Sequence, residues 1–113
     1  MRVLLTFLML VIGSTSAIAE ERYNANFTTE LKSLGLEREA FLYALNWAGA
    51  GDPRAEYDVA SSLVNGQGVE ANPKAAIALA CRSRMMPEYE RSRLVMSANL
   101  RLADRNSEPI RCD

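Results

Sequence analysis

The chain is 113 residues long, 49% apolar and 24% charged, with a formal net charge of −1. That composition excludes a disordered or fibrous chain and leaves room for one small domain. The near-zero charge removes the basic face that nucleic acid requires and the polybasic arm that holds a protein to an anionic membrane.

Residues 1–19 read as a signal peptide. Met1-Arg2 is a short positive start, residues 3–12 are an apolar core too short to span a bilayer, and Ala17-Ile18-Ala19 is a small-x-small cleavage signal. Cleavage after Ala19 leaves residues 20–113 as a single domain, periplasmic or secreted, with no stable membrane insertion. No cysteine sits at the cut, which disfavours a lipoprotein. The mature chain is uneven in charge: residues 20–73 carry nine acids and four bases, and residues 74–113 carry five acids and eight bases. The asymmetry is either drift on solvated helix faces or one end that meets a charged partner.

Residues 20–26 lack periodicity and are expected to be a loose leader. Phe27, Leu31 and Leu34 then fall at helical spacing with Gly35 as a stop, which predicts a short helix capping the hydrophobic end of the fold. A stronger helix is expected over 36–48, with Ala40, Tyr43 and Trp47 three and four residues apart, ended by Gly49 and Gly51. Asp52-Pro53 and Asn72-Pro73 each place an N-cap side chain before a proline at the first helical position, where a missing N–H is harmless. Helices are therefore expected over 53–64 and 73–86, the second broken by Pro87. Between them Asn65-Gly66 supplies the left-handed residue that ends a helix, and Gly68 turns the chain again before Val69.

On a wheel of the helix from Pro53, Arg54, Asp58, Ser61, Ser62 and Asn65 share one narrow arc. Ala55, Tyr57, Val59, Ala60, Leu63 and Val64 spread over the rest, so the helix is expected to be packed on both sides. Glu56 lies inside the apolar arc, as a buried polar group needing partners or as a functional carboxylate. A last amphipathic helix is expected over 88–104, with Glu90, Arg93, Ser97, Arg101 and Asp104 as its polar stripe and Tyr89, Leu94, Val95, Met96, Ala98, Leu100 and Leu102 around the rest, serving as a C-terminal cap. Met85, Met86 and Met96 are core fillers or an adaptable binding patch. Cys81 and Cys112 are the two cysteines of an exported chain, and an intramolecular disulfide is the economical reading.

The run Gly51, Asp52, Ala55, Glu56-Tyr57, Val59-Ala60, Leu63, Gly66-Gln67-Gly68-Val69, Asn72 and Ala76 resembles a Sel1-like repeat, a helical-hairpin relative of the tetratricopeptide repeat. The Gly-x-Gly-Val loop matches intact. The chain departs at Glu56 for Gln, Ala60 for Gly, Leu63 for an aromatic, and Leu79-Ala80 for Trp-Tyr. The resemblance covers one repeat, about a third of the chain, and implies an all-α fragment of an α/α solenoid with capping helices. Ala40-Phe41-Leu42-Tyr43 matches Ala76-Ile77-Ala78-Leu79 at an offset of 36, so the array is expected to start half-way through an earlier repeat. It further implies that Gly66 and Gly68 are repeat-turn residues and that Glu56 occupies a position the family keeps polar. The first helix of the hairpin would line a concave face, with Arg54, Asp58, Ser61, Ser62 and Asn65 as the partner-binding set.

The chain contains no histidine, which excludes the usual general base, Ser-His and Cys-His pairs and most zinc sites. Paired carboxylates, a phosphate-cradling loop and a dinucleotide fingerprint are absent too, so no catalytic, metal or cofactor residue is assigned and the protein is read as a non-enzyme. The resemblance implies a protein–protein interaction module whose partner is another envelope or secreted protein, in a regulatory or toxin-immunity role. The alternative is a structural or accessory factor for envelope assembly or polysaccharide production.

Overall fold

A computed structural model of the protein describes residues 22–113, which leaves the expected signal peptide outside the described residues. It is all-helical: α1 (Ala25–Ser33), α2 (Glu37–Gly49), α3 (Pro53–Asn65), α4 (Pro73–Arg82) and α5 (Glu88–Ala103), with no strand among the described residues. Each helix packs on the next in sequence, and α5 also packs on α3. None is long and apolar enough to cross a membrane.

The helix starts follow their caps. Asp52 Oδ1 accepts from the backbone N–H of Arg54 and Ala55 at 2.9 and 3.3 Å, and Asn72 Oδ1 accepts from Ala75 at 3.1 Å, each just ahead of its proline. At the other end of α3, Gly66 is left-handed, with φ of 72°. Gly68 is left-handed as well, and its backbone lies against the first turn of α2, near the Glu37 carbonyl and the Arg38 nitrogen. The α3–α4 loop thus rests on the start of α2, and only a residue without Cβ allows that approach.

Two apolar clusters make the core. Ala60 and Val64 of α3, Ala76, Ile77 and Ala80 of α4, Met86, and Leu94, Ala98 and Leu102 of α5 form one. Ala44 of α2, Ala55 and Val59 of α3, and Tyr23 form the other, and Leu63 and Leu79 touch both. Alanines dominate, so the helices approach closely and the core holds few large side chains.

Four expectations need correction. The loose leader is anchored: Tyr23 is only 2% exposed and sits in the core. Accordingly α1 begins at Ala25, capped by Asn24, and buries Thr28, while Phe27 packs edge-on against Tyr43 at 4.9 Å and Leu34 is exposed. The helix expected over 73–86 ends at Arg82, and Ser83 is extended. Finally, Met86 fills the core whereas Met85 and Met96 are exposed.

The end of α4 is held by a side chain of α5. Arg91 of α5 donates from Nε to the Ala80 carbonyl at 3.0 Å and from one terminal nitrogen to the carbonyls of Ser83 and Met86 at 2.8 and 3.1 Å. Its other terminal nitrogen meets Glu88 at 2.7 Å. One guanidinium therefore satisfies an open carbonyl in the last turn of α4 and two in the segment that follows it. Ser83 is buried, and its hydroxyl donates to Glu56 Oε1 at 2.9 Å, so Glu56 is held as a structural acceptor between α3 and the end of α4.

Past α5, Asn106 is left-handed with φ of 57°, and the chain doubles back. Asn99 grips the returning tail at Ile110, donating to its carbonyl at 2.8 Å and accepting from its N–H at 2.9 Å. Cys112 closes the disulfide to Cys81, with the two Cα atoms 5.3 Å apart.

Candidate protein interface

The five α3 residues expected to form one binding face are divided by the fold. Ser62 is buried. Asp58, its neighbour round the helix, accepts a hydrogen bond from the Tyr23 hydroxyl, whose oxygen lies 3.0 Å from that of Thr28. Burial first, and then the Asp58 carboxylate, hold the Tyr23 phenol well above its usual pKa of about 10; the bond from Thr28 works in the opposite direction. Arg54 donates to the Tyr23 carbonyl at 3.1 Å, lies 6.0 Å over the Tyr23 ring and sits 3.6 Å from Asp52. Tyr23 in turn stacks on Tyr43 of α2, with ring centroids 5.5 Å apart, and the Tyr43 hydroxyl accepts from the Asn24 N–H. Asp58 and Ser62 are therefore withdrawn as contact residues: Asp58 belongs to the seam that ties the N-terminal segment to α3, and Ser62 is buried. Nothing in the periodicity of residues 20–26 signals this, because a single aromatic without helical neighbours carries no pattern.

Ser61 and Asn65 remain open, and the structure brings them to the stripe on α5. With Tyr57 and Val64 they form one wall of a groove of about 180 Å³, and Arg93, Leu94 and Ser97 form the other. Arg101 extends the second wall and donates to Asn65 Oδ1 at 3.3 Å. Among the described residues the ion pairs are Asp52–Arg54 and Glu88–Arg91, so neither Arg93 nor Arg101 has a carboxylate partner.

The outer face of α5 adjoins this groove and is apolar. Tyr89, Met96 and Leu100 are 73%, 65% and 65% exposed and stand seven and four residues apart, which aligns them as one ridge. The Arg93 guanidinium lies 5.7 Å over the Tyr89 ring, at the edge of ridge and groove alike. On the far flank the returning tail and α5 enclose a second concavity, lined in part by Val95, Met96 and Ile110. The ridge thus stands between α3 on one side and the tail on the other, with no neighbour over it among the described residues. The wheel of residues 88–104 placed Tyr89, Met96 and Leu100 with the core side chains; in the fold they face outward because α3 and α4 take the face of Leu94, Ala98 and Leu102.

No protein-family model, curated protein or solved structure matches the chain. The likeness to a Sel1-like repeat therefore rests on residues 51–80 themselves.

Proposed function

We propose that the protein is an exported interaction module of the Sel1-like helical-hairpin kind, which binds a partner protein through the outer face of α5 and the groove between α5 and α3. The observation that carries this reading is the ridge of Tyr89, Met96 and Leu100 with Arg93 beside it. Tyrosine, methionine and arginine are enriched at protein interfaces, and large apolar side chains gain most of their binding energy by leaving water together. Tyr89, Met96 and Leu100 stay in water together on one helix face, where they contribute little to folding. Export agrees with the Cys81–Cys112 disulfide, which persists in oxidising compartments. The packing of α5 on both members of the α3–α4 hairpin is the arrangement expected where the first helix of a following hairpin would stand.

The test is capture of partners from the envelope fraction with the mature protein and with Met96→Glu. A polar substitution at an exposed position leaves stability within about 0.5 kcal/mol of the parent. A protein retained by the parent and lost by Met96→Glu, with unchanged melting, supports the assignment. Equal retention by both places the interface elsewhere and removes α5 from the reading.

A further inference from the structure

The tail that follows α5 touches the rest of the protein at few points, and its covalent tie is the exposed one. We infer that residues 108–113 form a strap latched by Cys81–Cys112, which a protein dithiol of the thiol–disulfide exchange class releases from α4 and α5 while the helices stay folded. The latch stands whether or not the outer face of α5 binds a partner.

Three features separate the strap from the fold. First, α5 ends without it. Asn106 is left-handed, and the N–H groups of Asn106 and Ser107 return to the carbonyls of Ala103 and Leu102 at 3.0 and 2.9 Å, so the helix is capped before the strap begins. Second, the strap adds little to the core. Ile110 packs against the larger cluster from its rim, whereas Glu108, Pro109, Arg111, Cys112 and Asp113 are exposed. Third, apart from the disulfide, Asn99 alone grips it, through its two hydrogen bonds to Ile110. Among the described residues no other hydrogen bond or ion pair joins residues 108–113 to the helices. Two neutral bonds at a half-exposed position exchange for water at little net cost. With Cys112 tied to Cys81, Ile110 stays two residues from a fixed point and the Asn99 contacts re-form after each break, so the disulfide is what keeps the strap seated.

The bond is open on one side. Cys112 is exposed and lines a concavity of about 450 Å³ between the strap and α5, whereas Cys81 is half-buried against the core. An incoming thiolate therefore meets the Cys112 sulfur first. It forms a mixed disulfide there and expels Cys81 as a thiolate, which takes a proton from water. The second thiolate of the dithiol then attacks its own sulfur in the mixed disulfide and expels Cys112. Two electrons pass from the dithiol, which becomes a disulfide, to the protein, which holds two thiols. A disulfide of the same class reverses both steps and closes the latch. Release uncovers Cys81, Val95 and Asn99 along one flank of α4 and α5.

The experiment follows amide hydrogen exchange by NMR in the mature oxidised protein, in the same protein reduced with dithiothreitol, and in the Cys81→Ser, Cys112→Ser double variant. The Ile110 amide, which donates to Asn99, should be protected in the oxidised protein. In the other two it should exchange within about tenfold of an unstructured chain, while the amides of Ala60 in α3 and Ala98 in α5 stay at least about a hundredfold more protected than Ile110. An Ile110 amide that is unprotected in the oxidised protein, or that keeps pace with Ala60 and Ala98 after reduction, overturns the inference. Loss of protection by all three together would make the disulfide a staple for the whole fold and overturn it as well. A brief exposure to reduced glutathione, quenched by alkylation and mapped by mass spectrometry, reads the point of attack. Glutathione on Cys112 with Cys81 alkylated is the expected product. An adduct on Cys81, or reaction in denaturant alone, refutes the exposed latch.

Discussion

The α3–α4 loop offers the sharpest test of how the hairpin is held, because its two glycines have the same backbone conformation and different surroundings. Gly66 and Gly68 both have φ of 72°. A left-handed conformation costs a residue with Cβ roughly 1–2 kcal/mol, so both alanine variants carry that strain. At Gly66 the added methyl would meet the Ala71 Cβ at 3.3 Å, a side-chain neighbour that can yield by a few tenths of an ångström. At Gly68 it would lie 2.5 Å from the Glu37 carbonyl carbon and 2.9 Å from the Arg38 nitrogen, both backbone atoms in the first turn of α2. Such atoms give way only if α2 or the loop shifts, which adds about 1–3 kcal/mol as overpacking does in a core. Gly66→Ala should therefore cost about 1–2 kcal/mol and Gly68→Ala about 2–5 kcal/mol. At about 4–8 °C per kcal/mol for a domain of this size, Gly68→Ala should melt at least about 8 °C below the parent. Circular dichroism melts with the disulfide intact measure both. A Gly68→Ala variant that melts no lower than Gly66→Ala would refute the contact between the loop and α2.

Further expectations concern the polar anchors and the tail. Arg91→Ala strands the carbonyls of Ala80, Ser83 and Met86, and should destabilise by about 2–4 kcal/mol in urea unfolding. The effect should far exceed that of Arg93→Ala, whose guanidinium is exposed. Because the Tyr23 phenol is raised above its unfolded value, its stabilising contribution is complete below about pH 10 and declines above it, by up to about 1.4 kcal/mol per pH unit. Unfolding of the parent and Tyr23→Phe at pH 9 and pH 11 should show the parent's advantage shrinking at the higher pH, and an advantage constant with pH would exclude the coupling. Reducing Cys81–Cys112, or Cys112→Ser, reopens a loop of 31 residues and should cost about 3–4 kcal/mol on the chain-entropy model, read as a lower denaturation midpoint.

What the amino-acid sequence determined by itself is local. Asp52-Pro53 and Asn72-Pro73 start helices because a side-chain oxygen and a fixed φ act within three residues, and Asn65-Gly66 ends one because a left-handed angle suits glycine. The pairing of the two cysteines was equally legible, since an exported chain with two thiols offers one intramolecular bond. The contacts that decide the surface span longer stretches of chain. Tyr23 meets Asp58 across 35 residues and Glu56 meets Ser83 across 27, and no helical period in either segment encodes those meetings. A helical wheel tells which side chains share an arc, and it says nothing of which edge of the arc a neighbour will cover. That is why Arg54, Asp58, Ser61, Ser62 and Asn65 read as one face while the fold buries Ser62, assigns Asp58 to the N-terminal segment and leaves Ser61 and Asn65 facing α5. The same reasoning accounts for α5, whose apolar residues exceed what one packed side can bury. Only the placement of α3, α4 and the disulfide-held tail around it determined that Leu94, Ala98 and Leu102 enter the core and that Tyr89, Met96 and Leu100 remain in water.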